Sequence, residues 1–448
     1  VVVSPLCHQM GAYGAGLLAV QEMARQGRTS SSFRGLDLAK RGVELTRETC
    51  ELCNNLCTIT TAHIEGETEA PAWGYLCGRD PEEKKMKRPD GFKPVAARNK
   101  AWTRSRGPKP AADGPLVGLP RTLGMWDLAP LWRTLMEGLG CRVKLSPRTD
   151  GEISTRGIKL SGADYCYPMK LAHGHAVALL EQDKVDFVLM PFVIGEAYDP
   201  EVTTEAHLCP LNICQAASVR AACSGAGIDA TRLLAPDLYL SWPEKRIVQH
   251  LHDTLGEPLG VSKRAVRDAW RMARQALTDF RAECQEIGEE ALERVHREGS
   301  EAIVLLGRSY NLYDEGANVA LPRKMAELGW TVIPQDLLPA RGDTLGEGHR
   351  NMFWWAGRRI LEAARFTRDD PKLHAVCFTN FACGPDSFVL TYLEELMGEQ
   401  PYLTLELDEH GSDGGYLTRI EAFLDVLHQE RDPVAPPEPA RKPAVALD

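Results

Sequence analysis

Four cysteines, Cys50, Cys53, Cys57 and Cys77, stand in a Cys-x2-Cys-x3-Cys-x19-Cys pattern that ordinary packing does not explain. Three thiols in the run TCELCNNLC can converge on one centre, and the fourth returns in YLCGRD. Thiolates at such spacing bind a soft metal or an iron–sulfur cluster, each sulfur occupying one corner of a tetrahedral ligand set. Zinc prefers four closed thiolates. The same pattern therefore admits a structural zinc knot, which would make the remainder of the chain a non-redox docking scaffold.

A second constellation lies farther along. GADYCYPMKLAHGH places Cys166 at a helix entry, HLCP carries Cys209, and HAVCFTNFACGPDSFVLTYLEEL puts Cys383 in a turn between a strand at Ala375–Phe378 and a helix. Ligands of open α/β sheets sit beyond the carboxyl ends of the strands, where such turns converge. Gly384 and Pro385 open a tight turn whose free N–H groups suit cluster sulfides. Cysteines from separate elements can meet where two domains touch, giving a three-thiolate cluster with one iron open to water or substrate. Buried cysteine is also a common small hydrophobe, and Cys7, Cys141, Cys223 and Cys284 are read that way. Cys214 and Cys377 fall in apolar stretches. His173 and His175 read as structural hydrogen-bonding groups. Asp408, Glu409 and His410 read as either a proton-handling group or an exposed strand end.

The elements that must position these residues follow from the apolar pattern. The 448 residues suffice for several domains with full cores, and the net charge of −10 disfavours a nucleic-acid partner. No apolar run approaches the roughly 20 residues needed to span a bilayer. Thirteen cysteines, an odd number, suit reduced thiols and a cytoplasmic setting. The fold class expected is α/β: two doubly wound domains of related topology with a cysteine site between them, preceded by a small cysteine-rich segment. LVGLP and CRVKLS predict strands flanking a helix at Met125–Leu139. AIVLLG and WTVIP repeat the unit around a helix at Asn318–Leu328. VDFVLMPFV reads as one further strand. The domains expected are a glycine-rich strand–turn–helix at 1–28, the four-cysteine segment at 29–80 and a linker at 81–115. The first α/β domain follows at 116–261, a connecting helical stretch at 262–299, the second α/β domain at 300–430 and a disordered tail at 431–448.

GLPRTLGMWDLAPLWRTLMEGLGCRVKLS, ADYCYPMKLAHGH, HLCP, NFACGPDSF and LELDEHGSDGGYLTRIEAFL together resemble the uncharacterised domain attached to CoA-enzyme activases. That domain is related to the iron–sulfur subunits of 2-hydroxyacyl-CoA dehydratases and to double-cubane-cluster proteins. The resemblance spans roughly residues 116–430. TCELCNNLC is similar to a cysteine motif of the long members, and GAYGAGLLA resembles the last helix of an activase ATPase domain of the actin-like class. The resemblance implies an iron–sulfur protein that accepts or relays low-potential electrons in an ATP-driven reduction. It implies [4Fe-4S] clusters, with Cys166, Cys209 and Cys383 as ligands, and an activase-type ATPase in cis or in trans. A ferredoxin or flavodoxin would be the donor. Relatives often carry cysteine where this chain has Phe192, so Cys214 or Cys377 would substitute if that position is a ligand. The alternative in the same family is an acyl-CoA dehydratase or small-molecule reductase acting at the open iron. It would require a pocket beside Cys166 and Cys383; no catalytic residue is assigned.

Overall fold

Fully buried apolar runs of five or six residues, bounded by glycine and proline, set the strands of this chain in parallel sheets. The computed structural model describes residues 9–30, 41–49, 58–66, 70–74, 93–110, 112–339, 345–411 and 413–429. They fall into two compact units, 1–86 and 87–448.

In the first unit, α1 (Met10–Arg25) has no buried residue. The strands β1 (Val43–Thr49), β2 (Thr58–Ile64) and β3 (Ala72–Trp73) form an antiparallel sheet. β1 and β2 pair from Val43 opposite Ile64 to Thr49 opposite Thr58, the two residues that flank the run holding Cys50, Cys53 and Cys57. Those cysteines, Cys77 and Cys7 lie outside the described residues, as do the opening strand and the tail at 431–448.

The second unit begins with α2 (Pro94–Thr103), followed by β4 (Leu116–Leu119), α3 (Met125–Gly138), β5 (Arg142–Leu145), α4 (Gly151–Leu160) and α5 (Tyr167–Val177). Next come β6 (Phe187–Leu189), β7 (Phe192–Gly195), α6 (Pro210–Ile213), α7 (Gln215–Gly225), β8 (Leu233–Leu234), β9 (Asp237–Tyr239) and α8 (Glu244–Leu259). The long α9 (Lys263–Glu298) leads to β10 (Ala302–Gly307), α10 (Ser309–Tyr313), α11 (Leu321–Glu327) and β11 (Thr331–Pro334). The last elements are α12 (Trp355–Arg368), β12 (Leu373–Asn380), α13 (Gly384–Met397), β13 (Leu403–Leu407) and α14 (Asp413–Gln429).

Two parallel sheets result, ordered β5-β4-β6-β8 and β11-β10-β12-β13. Each runs second-first-third-fourth in its own chain order, so the repeat expected from LVGLP and AIVLLG holds at the level of topology. A short parallel ribbon of β7 and β9 adds to the first half. The expected helical stretch at 262–299 is α9, about 54 Å long at the ordinary rise. Its buried face, from Val266 through Trp270, Leu277, Phe280 and Cys284 to Val295, recurs at three- and four-residue steps and joins one apolar core with both sheets.

Three expectations are corrected. Residues 81–115 are not simply a linker, because α2 turns Arg98, Ala101 and Trp102 inward. Trp102 stacks on Trp126 at 4.5 Å, and its indole N–H donates to the Met125 carbonyl. The run VDFVLMPFV is two strands in different sheets. Pro191 has no N–H to continue a ladder, and beyond it Phe192 bonds to the Pro236 carbonyl beside β9. The helix expected at Asn318–Leu328 starts only at Leu321. Val319 and Ala320 adopt left-handed backbone, and the Asn318 amide is spent on the Asn311 and Leu312 carbonyls.

The closest approach in this core needs a missing side chain. A Cβ on Gly288 of α9 would fall 1.6 Å from the Leu337 carbonyl oxygen, and backbone cannot yield as a flexible side chain would. Gly288→Ala is expected to cost about 1–3 kcal/mol or more through overpacking, read as a lowered urea midpoint. An unchanged midpoint would mean that α9 does not rest there.

Candidate functional site

Cys166, Cys209 and Cys383 occupy the same local position three times. Each is the residue that immediately precedes a helix, respectively α5, α6 and α13, and each helix has proline in its first two positions. Proline suits that place because the first helical N–H groups lack partners and its φ is already helical. The residue before each helix takes the extended backbone usual at an N-cap, with ψ values of 151°, 137° and 98°; Cys209 also directly precedes its proline, which disfavours helical backbone there. All three thiols are buried, with residue exposures of 8%, 9% and 8%.

They gather around β10. Its carboxyl end continues as Gly307, Arg308, Ser309 and Tyr310, and in the neighbouring strand β12 Phe378 pairs with Gly307. These are the first and third strands of the second sheet, the position where an open sheet of this order switches direction and leaves a crevice. Burial carries the Tyr310 phenol well above its ordinary range. Arg308 opposes that rise, whereas Cys383, Cys209 and Cys166 add to it, so all three thiols lie within electrostatic reach of one phenol. Burial also lifts the Cys166 thiol to about 11; the Met169 amide and Arg308 oppose it, while Cys209 adds to it. Cys383 is raised further, by burial and then by Asp386, against Arg308 and the Asp386 amide.

Arg308 is fixed by a buried ion pair. Its Nη2 lies 2.8 Å from Asp386 Oδ1 and its Nε donates to the same oxygen at 2.9 Å, while Thr379 donates to Oδ2 at 3.0 Å. Asp386 sits in the first turn of α13, three residues after Cys383. The pair thus ties the end of β10 to the start of the helix that carries a thiol.

The helix that follows Cys166 is tied to the second half in two places. Lys170 bridges Asp164 at 3.0 Å and Glu409, just after β13, at 2.5 Å. Glu409 is therefore a tether, and of the trio expected as a strand-end group only His410 is largely exposed. Farther along α5, His175 is buried and makes 2.9 Å contacts with the Ser146 and Thr149 hydroxyls. Thr149 donates to Asp314 Oδ2 at 2.6 Å, and Ser146 accepts from the Arg121 amide at 2.9 Å. Burial, then Arg121, depresses His175 to about 3, so the ring is neutral. His173 contacts the Met169 carbonyl and Ser218. Both histidines are structural, as their spacing suggested. α5 packs on α4 through Gly157 and Gly174, where a Cβ would lie 2.2 Å and 2.1 Å from carbonyl oxygens of Lys170 and Ile153.

Cys141, Cys223 and Cys284 are buried core residues. Cys377 is inside β12, opposite Thr404 and Leu306, and burial raises it strongly. Cys214 is exposed at the junction of α6 and α7. Phe192 is a strand residue of β7. Among the described residues no three His, Cys, Asp or Glu side chains are close enough to hold a single metal ion. A cavity of about 110 Å³ borders Cys209, Arg308 and Tyr310 rather than Cys166 and Cys383. Tyr310, Arg308 and Asp386 were not singled out in the sequence. The signals were there, in the RSY that follows AIVLLG and in the acid of CGPD.

The fold and the site define an α/β protein built of two like-ordered parallel sheets, with cysteine-led helices collected at a strand crevice. Residues 116–338 match the model of the family described as the CoA enzyme activase uncharacterised domain (DUF2229). The match includes Cys166, Cys209 and Arg308 and ends before Cys383. No curated protein matches the chain. Among solved structures it is similar to the C-terminal domain of glucosamine-fructose-6-phosphate aminotransferase from Francisella tularensis. The identity is 10%, over 75% of this chain and 91% of that chain, with a TM-score of 0.16. At that score the likeness bears on neither fold nor function. Among the described residues no helix is long and apolar enough to cross a membrane.

Asp314 gives the tether a pH signature. Burial raises its carboxyl from 3.8 to about 6, against hydrogen bonds from Thr149, Ala317 and Gly316. The folded chain holds this proton more tightly than the unfolded chain, so its contribution is present below pH 3.8 and is lost as pH rises through about 6. Across that window Asp314→Asn is expected to gain on the wild type by up to roughly 3 kcal/mol, measured by denaturant unfolding at each pH. A difference that does not change with pH would show that Asp314 titrates as it does in the unfolded chain.

Proposed function

We propose that this chain is an iron–sulfur component of an ATP-driven reduction, of the 2-hydroxyacyl-CoA dehydratase and activase group. Cys166, Cys209 and Cys383 would hold one cluster, and Cys50, Cys53, Cys57 and Cys77 a second metal centre. The observation that carries the reading is the repeated thiol–proline helix entry, three times over, within electrostatic reach of Tyr310. The match of residues 116–338 to the CoA enzyme activase uncharacterised domain supports it. Three thiols spread around an arginine and a phenol also suit a cluster, whose ligands bind separate irons, better than one ion.

When bound, a cluster would supply a low-potential one-electron site. The protein's own share is electrostatic. Arg308 sets a buried positive charge near Cys166 and Cys383, and Asp386 holds that guanidinium in place. The amides of Met169 and Asp386 favour the thiolate forms of Cys166 and Cys383. Burial keeps water from the sulfurs and holds the unliganded thiols of Cys166 and Cys383 protonated, so loading releases protons and weakens as pH falls. An activase-type ATPase, in cis or in trans, would drive electrons inward from a ferredoxin or flavodoxin.

Iron, sulfide and zinc content of anaerobically purified protein tests the proposal, with Cys383→Ala and the buried-strand control Cys377→Ala. About eight irons per chain with matching sulfide are expected, falling by about half in Cys383→Ala and unchanged in Cys377→Ala. One zinc and no iron, unaffected by either substitution, would sink the redox reading.

A further inference from the structure

The cavity beside Cys209 has a wall that asks for an anion. Arg98 of α2 is 1% exposed and lines it. Two of its nitrogens are committed: Nε donates to Asp336 Oδ2 at 3.2 Å, and Nη2 to the Trp126 carbonyl at 2.8 Å. The guanidinium is held flat against Tyr313, 3.8 Å from the ring centre. Nη1 is buried and has no hydrogen-bond partner among the described residues. A buried charged donor left unmade costs free energy that a suitable acceptor would recover.

Three more guanidinium groups border the same space. Arg308 is matched by Asp386, and Arg281 by Glu196 at 3.0 Å. Arg359 stands over the Trp355 ring at 5.9 Å and has no carboxylate partner among the described residues. The carboxyl of Asp127, which accepts from Ser309, also faces the cavity, and burial raises it to about 6. The rest of the lining mixes apolar residues, Phe280, Trp355 and Ala356, with polar ones, among them Asn212, Gln335 and Asp336, the carboxylate that holds Arg98 Nε. A volume of about 110 Å³ exceeds the roughly 10–15 Å³ that one water needs, and leaves room for a small organic molecule.

We infer that this cavity is a binding site for a short-chain monocarboxylate, its carboxylate received by Arg98 Nη1 and Arg359 and its tail by Phe280, Trp355 and Ala356. Guanidinium matches a carboxylate in plane and charge, and two such groups from different elements fix its orientation. The assignment stands on the cavity and its unmade donor; it requires neither a cluster nor electron transfer, and its failure would leave the metal reading untouched.

Titration of the full chain with propionate, propionamide and inorganic phosphate, followed by calorimetry, tests the site. Saturable propionate binding is expected, with propionamide weaker by about tenfold or more, since one charge-assisted bond is worth that much. Arg98→Met is expected to abolish binding. Because that buried substitution can also unfold the chain, two milder variants accompany it. Arg359→Gln is expected to weaken propionate about tenfold, and Ala356→Leu to exclude it by filling the apolar end while preserving every charge. Equal binding of propionamide, a preference for phosphate, or propionate affinity unmoved by both Arg359→Gln and Ala356→Leu would each overturn the assignment.

Discussion

The buried pair between Arg308 and Asp386 is the interaction on which the site's geometry depends. An arginine with 5% of its side chain exposed, facing a carboxylate with 4%, is tolerable only when each supplies the other's charge. Removing either partner strands the other in a low-dielectric interior, a loss of about 3–5 kcal/mol in comparable cases. Here the pair spans a structural seam, from the end of a central strand to the first turn of the helix behind Cys383. The same guanidinium is sensed by Cys166, on an element of the other half. One cation therefore sets the electrostatic setting of thiols contributed by both sheets.

That arrangement depends on the fold having been built twice. Two sheets of identical order place two crevices in one unit, and α9 shares its buried face with the core of both. The thiols are not placed symmetrically in the repeat. Cys383 follows the third strand of its sheet, whereas Cys166 precedes the third strand of the other, behind α4. What recurs is the local device, an extended cysteine immediately before a helix with proline in its first two positions. The device is portable because it needs only a few residues and no particular neighbour.

Much of this was legible. Runs such as AIVLLG announce parallel strands because burial on both faces leaves no polar alternation to confuse them. The long polar–apolar rhythm from 262 to 299 could only be a helix with one inward stripe. The cysteine–proline strings marked helix entries for simple steric reasons. The failures are physical as well. α2 hid because its inward face includes Arg98, whose guanidinium is held by residues far away in sequence, Asp336 and the Tyr313 ring. Pro191 sits within an apolar run, and periodicity alone does not say that the chain changes sheets there. Arg308 and Asp386 lie 78 residues apart, and only the pairing of β10 with β12 makes them neighbours.

The hydrogen-bonded row from Arg121 through Ser146, His175 and Thr149 to Asp314 has a polarity. With Asp314 ionised, Thr149 must give its hydrogen to the carboxylate, so His175 gives its Nε2 proton to Thr149 and takes one at Nδ1 from Ser146. If Asp314 is protonated and its acid proton turned toward Thr149, the sequence runs backwards. Thr149 then donates to the ring, and the imidazole carries its hydrogen on the other nitrogen. These two settings exclude one another, because each hydroxyl has a single hydrogen to give. A proton that settles on Asp314 facing Thr149 is registered at His175 as a choice of tautomer, with no atom heavier than hydrogen having to move.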